Sequence, residues 1–460
     1  MTDEVLAPTV GAQEGMFSRT YAVATLSFSA VTVLTGLAAL AVVPILPIAV
    51  RDLQALELYS LAASVFVAAS LLGGVIGGNW ADRVGAGRPL AAGLALAVVT
   101  LLVSATSTSI WQLAAGRFLD GIAAGMVAVT INTAIGQTYP DWLRPRVLAL
   151  MAACWIGPSL VGPPLAGLIA DWWSWRGVFY GLAALTLLPA AALVIVLRGS
   201  SRTATSAEPG DEAGRPGLIV AAAVSLGAAL AQYAISDWNV QHLILGLVGL
   251  VLVVAFVRRM VPPGTWRAMR GLPATVLLNG LACGTFFTLE AFVPLLLDSA
   301  RQVPPAATGL VFTGAAVAWA ASSWVQSRWL ANRPRHHLIA TGALLMGAAT
   351  VTAAVGALPV LPAYIAGASL IIAAIGMGTV APTLTVLSLA HAPYNRQGYA
   401  SSSMQTSMNL GQVAIMAASS ALFSVGQNTG STPVSFGAAF GLLVVPSVLV
   451  ALLAVRARSA

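Results

Sequence analysis

Fourteen stretches of about 20 apolar residues follow one another along this chain, and no other feature limits its fold as strongly. A helix needs ~20 apolar residues to cross the hydrocarbon core of a bilayer. The runs are continuous, whereas strands of a membrane β-barrel alternate over ~10 residues. We therefore predict an all-α polytopic membrane protein with 14 transmembrane helices, at 21–49, 58–79, 89–107, 110–136, 147–170, 177–198, 217–235, 241–258, 273–297, 306–328, 337–357, 360–389, 399–425 and 433–455.

The charge content supports this class and excludes others. Only 8% of the residues are charged, against roughly 25% in soluble proteins. All 22 basic side chains are arginine, so the lysine of a phosphate-binding P-loop and of a Schiff-base enzyme is absent. The net charge of +7 comes from arginines scattered between apolar runs. This distribution is explained better by the positive-inside rule of membrane topology than by nucleic-acid binding. We expect the lipid bilayer as a partner, and neither nucleic acid nor nucleotide.

The arginines also predict the orientation. With the N-terminus in the cytoplasm, 18 of them fall on the inner side and three on the outer side, at Arg51, Arg176 and Arg301. Cytoplasmic loops of membrane proteins carry such an excess. Both termini are therefore predicted to be cytoplasmic. The lysine-free, alanine- and arginine-rich composition is typical of a GC-rich bacterial genome, so we expect the cytoplasmic membrane of a bacterium.

The runs divide as six, two and six. We predict a polar N-terminal tail at 1–18, a six-helix bundle at 19–198, a flexible linker at 199–216, two inserted helices at 217–258, a second linker at 259–272 and a second six-helix bundle at 273–456. The Trp80-Ala-Asp-Arg83 segment after helix 2 has a weaker counterpart in Trp329-Leu-Ala-Asn332 after helix 10. Two bundles related by pseudo-symmetry are the plan of secondary transporters.

Metal and disulfide sites are not expected. Cys154 and Cys283 both lie inside apolar runs, and the four histidines lie at or near run ends without an HExxH pattern. A thiolate metal site or disulfide framework needs several cysteines at defined spacings. We predict no metal and no cofactor.

Four motifs resemble one family. They are Gly78-Asn-Trp-Ala-Asp-Arg-Val-Gly-Ala-Gly-Arg88, Gly116-Arg-Phe-Leu-Asp-Gly121, Gly162-Pro-Pro-Leu-Ala-Gly167 and Trp175-Arg-Gly-Val-Phe179. In this order they resemble the signature stretches of the major facilitator superfamily, and the two inserted helices make the chain similar to its 14-helix drug:proton antiporters. The chain departs from that branch at Ala38, where an Asp is common, at Asp120, where Gln is usual, and at Ala166, where Gly is usual.

The loop after helix 2 is a predicted gate motif. Gly78 and Gly85 permit a tight turn and close helix approach. Asp82 can accept hydrogen bonds at a neighbouring helix N-terminus, while Arg83 and Arg88 hold the loop on the cytoplasmic side. The resemblance implies that this loop locks one state of the cytoplasmic gate. The alternative is an ordinary inside-positive turn.

Helix 5 is a predicted hinge. Its prolines remove backbone donors and bend the helix, and its glycines permit close packing. A bent, tightly packed helix 5 would act as hinge and seal. The alternative is a merely kinked helix. The motif consists of Gly157, Pro158, Gly162, Pro163 and Gly167.

Three charged residues lie at membrane depth, where charge is costly and usually functional. Arg117 and Asp120 are three residues apart on helix 4, and Glu290 lies on helix 9. In the family the matching helices line the central cavity, which implies one shared site. Glu290 has no basic residue within ten positions and is the first candidate for the proton carrier; Asp120 is the second. The alternatives are a static Arg117–Asp120 pair and a structural Glu290.

Aromatic and polar side chains in the same helices are candidates for the substrate cavity. Aromatic rings stack on lipophilic and cationic compounds, and polar side chains add hydrogen bonds. Simple packing and helix–helix hydrogen bonding are the alternatives. The candidates are Phe286, Phe287, Phe292, Thr379, Gln405 and Asn409.

The function predicted by the resemblance is proton-coupled export of small lipophilic compounds, cationic ones among them, with protons as the second partner. An exporter or flippase of a lipid or endogenous metabolite is the alternative in the same architecture. A polytopic membrane enzyme would need a reactive constellation that the three charges do not form. A channel would not need the repeated halves or the antiporter motif.

Overall fold

The computed structural model describes residues 15–140, 143–199, 217–234, 239–258, 261–330, 333–392, 397–427 and 431–458. Within these ranges the chain folds into 16 α-helices without a strand, which confirms the all-α prediction. The helices are α1 Ala22–Asp52, α2 Tyr59–Val84, α3 Gly87–Ala105, α4 Ile110–Thr138, α5 Arg144–Ala153, α6 Ile156–Trp172, α7 Trp175–Gly199, α8 Leu218–Ala234, α9 Val240–Val257, α10 Leu272–Leu295, α11 Pro305–Trp329, α12 Arg335–Gly356, α13 Tyr364–Ala390, α14 Gln397–Gln427, α15 Thr432–Leu442 and α16 Val444–Leu453.

Two of the predicted runs are broken by proline. The fifth run is divided into α5 and α6 at Cys154 and Trp155, and the last into α15 and α16 at Leu443. Pro158 cannot donate to the carbonyl of Cys154, and Pro446 cannot donate to that of Leu442, because proline has no N–H. The sequence predicts one span at each place, bent by its prolines in the fifth run.

Helix length and composition support membrane crossing. Eleven helical segments of the described part are long and apolar enough to span a bilayer, and α8 is a shorter apolar helix. The chain is therefore a multi-pass membrane protein. The count of 14 stays a prediction.

The helices pack in two groups. In the first, α2 and α3 pack on α4, and α1 packs on α6 and α7. In the second, α10 packs on α14, and α11 and α12 pack on α13. We call α1–α7 the N-terminal helices and α10–α16 the C-terminal helices. The two groups meet where α6 packs on α11, α2 on α14 and α1 on α10.

The helices begin and end at two opposite ends of the bundle, which we call the Arg51 end and the Gly85 end. At the Arg51 end, α1, α3 and α10 finish, and α2, α4 and α11 begin. At the Gly85 end, α2 finishes and α3, α10 and α12 begin. The sequence predicts the Gly85 end to be cytoplasmic.

Close contact between α2 and α4 determines where the buried charges lie. A Cβ atom on Gly121 would overlap the carbonyl oxygen of Phe66, and one on Gly125 would overlap that of Ser70. Only glycine lets the two backbones approach this closely. The crossing holds Arg117, one turn before Gly121, against Phe66 of α2, and Asp120, directly before Gly121, beside Thr100 of α3.

Candidate functional site

Arg117 and Asp120 form a buried ion pair on α4. Nη1 of Arg117 lies 3.4 Å from Oδ2 of Asp120, and the two residues are 4% and 5% exposed. The hydroxyl of Thr100 on α3 donates to Oδ1 of Asp120 at 3.4 Å. The Arg117 guanidinium also lies 4.4 Å from the centroid of the Phe66 ring. The two buried charges therefore compensate each other, and one hydroxyl and one aromatic ring add to this compensation.

The Arg117–Asp120 pair does not use all of its hydrogen-bonding groups. Nε of Arg117 is buried and has no hydrogen-bond partner among the described residues. Charges buried in lipid-embedded protein require compensation for each polar atom. The Arg117–Asp120 pair therefore retains capacity to bind another acceptor.

A small cavity opens beside Asp120. Its water-accessible volume is about 30 Å³, which is room for roughly two waters, since one needs ~10–15 Å³. The wall is mostly apolar, with the hydroxyls of Thr35 and Thr186 as additional polar groups. The lining comes from α1, α2, α3, α4 and α7 and consists of Leu34, Thr35, Ala38, Ala39, Phe66, Leu94, Ala97, Leu101, Asp120, Ala124, Val127 and Thr186.

Two departures from the antiporter motifs meet in this cavity. Ala38 of α1 and Asp120 of α4 line the same space. The carboxylate of the cavity is thus supplied by α4, whereas the resemblance to the 14-helix branch implies that an Asp on α1 is common there. Separate motifs in the sequence gave no sign that these two positions face each other.

Glu290 lies apart from this pair, on α10. No residue of α10 lines the cavity beside Asp120. Glu290 is half-buried and forms no hydrogen bond or ion pair with the described residues. The next residue, Ala291, contacts Tyr59 at the start of α2. The Tyr59 hydroxyl donates to the carbonyl oxygen of Ala291. Glu290 is therefore a carboxyl without a fixed cation, close to a contact between the two groups of helices.

The predicted cavity aromatics occupy different environments. Phe292 is fully buried and packs edge-on against Tyr59, Phe423 and Phe440. Phe286 lies between Phe287 and Trp319, with ring centroids 5.5 and 5.0 Å away. Phe287 is half-buried. Of the three, Phe292 has the surroundings of a packing residue.

The polar candidates make helix contacts. Thr379 donates to the carbonyl of Gly376 in its own helix. Gln405 donates to Oδ1 of Asn409 at 3.4 Å, and Nδ2 of Asn409 lies 3.5 Å from the hydroxyl of Ser70. Asn409 thus connects α14 to α2. Sequence reasoning identified Asn409 but not its partner on the other group of helices.

The gate motif forms the turn between α2 and α3. Gly85 has φ of 81°, in the left-handed region that favours glycine. The N–H of Ala86 donates to the side-chain oxygen of Gln137 at 3.2 Å, which ties the turn to α4. Gly78 faces Val129 of α4. Arg83 and Arg88 are exposed. The side chain of Asp82 lies outside the described residues.

The hinge motif packs against α11. A Cβ on Gly167 would overlap the carbonyl of Pro305, and the Thr313 hydroxyl donates to the carbonyl of Leu160 at 2.9 Å. Gly162 faces Leu37 of α1, whereas Gly157 has open space around its Cβ position. Within α6, close packing therefore requires glycine at 167 but not at 157. The partners on α11 were not identified from sequence.

Further cross-contacts lie at the Arg51 end. Arg51 and Asp298 form an ion pair of 2.8 Å, and the Ala306 N–H donates to Asp171 at 3.0 Å. Pro163 and Pro164 of the hinge motif approach Gly309 of α11, whereas Pro158 packs on Gly36 of α1, within the N-terminal helices. Sequence analysis assigned Arg51 only to a loop.

Comparison with known proteins identifies the family of this arrangement. The model of the Major Facilitator Superfamily matches residues 28–416. A “probable multidrug-efflux transporter” of Mycobacterium tuberculosis is 29% identical over 75% of this chain and 75% of its own length. The multidrug resistance protein MdtL of Klebsiella pneumoniae is 30% identical over 35% of this chain and 41% of its own length.

Solved structures show the same fold. A peptide transporter of the POT family, in complex with alafosfalin, superposes with a TM-score of 0.70 at 17% identity, over 97% of this chain and 96% of the transporter. A D-xylose–proton symporter superposes with a TM-score of 0.68 at 15% identity, over 95% and 97%. At these identities the likeness concerns the fold alone.

Proposed function

We propose that this chain, which belongs to the major facilitator superfamily, is a proton-coupled exporter of small lipophilic compounds, cationic ones among them. One observation carries the proposal: two carboxyl groups, Asp120 and Glu290, lie at membrane depth in a chain whose relatives are named for multidrug efflux. Acids at that depth are costly and mark ion or substrate pathways. No cofactor and no enzymatic reaction are part of this function.

The two acids have different roles in the proposal. Glu290 has no cationic partner within the described ranges, and it carries the proton. Asp120 is held by Arg117 and Thr100, and the pair contributes charge to proton coupling through the small cavity beside it. The half-buried Phe287, with Phe286, Thr379, Gln405 and Asn409, borders the substrate path. Phe292 packs behind the residues that border this path.

The transport cycle in this proposal follows alternating access, in which the two ends of the bundle open in turn. The ion pair of Arg51 with Asp298 and the bond of Tyr59 to Ala291 join the two groups of helices at the Arg51 end. These contacts support a state closed at that end, and they must break when it opens. The gate motif holds the opposite end in the alternate state, and the α6–α11 contact is the hinge. One proton entering across 100 mV releases ~2.3 kcal/mol for export.

Orientation is part of the proposal. Both termini are cytoplasmic in a bacterial inner membrane, and the helices are arranged as six, two and six. A reporter active only in the periplasm, fused after Ser236, is active, and the same reporter within 199–216 is silent. Activity in the 199–216 fusion contradicts the arrangement.

Dye efflux tests the function directly. Everted vesicles containing the protein accumulate lipophilic cationic dyes when energised, and a proton uncoupler abolishes the accumulation. Vesicles without the protein are the control. Failure with every dye, together with uncoupler-sensitive transport of a labelled lipid or metabolite, overturns drug export in favour of the alternative cargo.

A further inference from the structure

Five exposed arginines at the Gly85 end come from three separate segments of the C-terminal helices. Arg267 and Arg270 lie in the loop before α10, Arg335 begins α12, and Arg456 and Arg458 follow α16. We call these five residues the basic patch.

Hydrogen bonds connect the three segments. Nη1 of Arg456 donates to the carbonyls of Arg267 and Ala268 at 3.2 and 3.4 Å, and the Gly271 N–H donates to the Arg456 carbonyl. Nε of Arg458 donates to Nδ1 of His336 at 3.2 Å, next to Arg335. The charges are thus held together by the fold and are not scattered along flexible loops.

The C-terminal helices supply no acidic counterpart to the patch. From residue 239 to the end, the sequence contains two acids, Glu290 and Asp298. Asp298 lies at the opposite, Arg51 end, and Glu290 lies within α10. Positive groups held close together repel one another unless an anion lies between them. The C-terminal helices therefore leave the guanidinium groups of the patch available to an anion.

The surroundings of the patch indicate which anion this is. Trp266 and Met269 are 56% and 55% exposed and alternate with Arg267 and Arg270. The turn that presents them depends on left-handed conformations at Gly264 and Ala268. Exposed tryptophan is typical of the membrane–water interface, and guanidinium groups bind phosphate oxygens bidentately. We propose that the basic patch binds the phosphodiester headgroups of anionic phospholipids in the adjacent leaflet.

Lipid titration tests this site. Purified full-length protein is titrated with phosphatidylglycerol and, separately, with phosphatidylcholine, and bound lipid is counted by native mass spectrometry. Phosphatidylglycerol binds selectively, and Arg267→Gln with Arg270→Gln weakens it by about 25-fold, since each arginine near an anionic surface contributes about fivefold. Arg258→Gln with Arg328→Gln, which removes two exposed arginines at the ends of α9 and α11, is the matched control.

Three outcomes overturn the proposal. Equal loss in the variant with Arg258→Gln and Arg328→Gln shows general attraction by positive charge and no site. Equal binding of the two lipids to wild type excludes headgroup charge. Displacement of phosphatidylglycerol by equimolar inorganic phosphate assigns the patch to a free anion. Thermal unfolding of each variant, which exposed substitutions leave unchanged, shows that folding is retained.

A second, independent observation concerns α8, one of the two inserted helices. Val224 of α8 packs on Leu71 of α2, with Leu410 of α14 beside them. One turn later Ala228 packs on Ala68 of α2 and Val413 of α14. The helix therefore lies along the seam between the two groups.

A buried side chain crosses this seam. Gln232 of α8 is 1% exposed, and its Nε2 donates to the carbonyl of Val413 at 3.2 Å. Its Oε1 has no partner among the described residues. The α8–α9 crossing is tight, because a Cβ on Gly227 would come 2.7 Å from the carbonyl of Gly249.

We infer that α8 stabilises the closed contact between α2 and α14, and we call α8 the latch. The argument rests on the proposed alternating access, in which these two helices move apart. Because α8 packs along α2, it moves with the N-terminal helices, and the bond from Gln232 to Val413 must break when the seam opens. The latch therefore favours the state with the seam closed.

Conformation, measured without transport, tests the latch. Spin labels on α2 and α14 report the seam distance in detergent-solubilised Gln232→Leu, which keeps the side-chain size but not the donor. The closed population falls by about threefold, the effect of a typical hydrogen bond between membrane helices. Ser225→Ala, buried on the same helix, is the control. If the α2–α14 distance distributions of Gln232→Leu and Ser225→Ala are the same, the latch is overturned. If the wild-type protein shows a single fixed α2–α14 distance under all conditions, alternating access itself is overturned.

Discussion

Arg51 at the end of α1 and Asp298 beyond α10 are joined by an ion pair of 2.8 Å that connects the two groups of helices. Arg176 forms a second pair, with Asp52, also at 2.8 Å, but that pair lies entirely within the N-terminal helices. The two arginines therefore provide a matched comparison between a contact that must break during transport and one that need not.

Arg51→Gln shifts the protein toward the state open at the Arg51 end. Arg51 is 47% exposed in its side chain, so the pair contributes at most about 1 kcal/mol, a shift of up to about fivefold. Double electron–electron resonance between labels on α1 and α10 at that end measures it. Arg176→Gln leaves the distances unchanged. Equal shifts in the two variants show that loss of charge alone is responsible.

Glu290→Gln abolishes uphill efflux and preserves downhill movement. Gln mimics only the protonated carboxyl, so the variant neither gains nor loses the transported proton, while the shape of the path is retained. Uphill efflux in energised vesicles and substrate-induced proton release from detergent-solubilised protein are measured together. Glu57→Gln, in an exposed turn before α2, is the control. Wild-type efflux and proton release in Glu290→Gln remove Glu290 from the mechanism and leave Asp120.

Asp120→Asn destabilises the protein more than it changes coupling. Its loss leaves the Arg117 guanidinium buried without its carboxylate, and breaking a buried pair costs about 3–5 kcal/mol. Thermal unfolding in detergent measures the loss. Adding Arg117→Gln removes the unpaired charge and restores part of the stability. A stable Asp120→Asn protein without uphill efflux instead identifies Asp120 as the proton carrier.

Gly167→Ala and Gly157→Ala separate close packing from flexibility in α6. At Gly167 the added Cβ overlaps the Pro305 carbonyl, and such overpacking costs about 1–3 kcal/mol. At Gly157 there is open space, and alanine favours the helix by about 0.5–1 kcal/mol. We expect lower thermal stability and transport in Gly167→Ala and neither loss in Gly157→Ala. Reduced transport in a stable Gly157→Ala protein shows that α6 flexes there.

The sequence by itself determined the class of protein. Long apolar runs and few charges leave helices in a bilayer as the stable solution, because every backbone polar group must bond within its own segment. The motifs at Gly78–Arg88 and Gly162–Gly167 identified the family, and the three charges at membrane depth were recognised from hydropathy alone. These features are local: each depends on residues within one or two helices.

Only the tertiary structure decided which residues meet. Ala38 and Asp120 share a cavity, Arg51 reaches Asp298, and Gln232 reaches Val413, although the members of each pair are 82 or more positions apart in the chain. Hydropathy predicts how deep each residue lies in the bilayer, but it does not predict which face of a helix packs on its neighbour. Lipid is as apolar as the helix faces that pack together, so both kinds of face look alike in the sequence. Rotation is determined by glycine contacts such as Gly121 on Phe66, and these become visible only when the helices are packed.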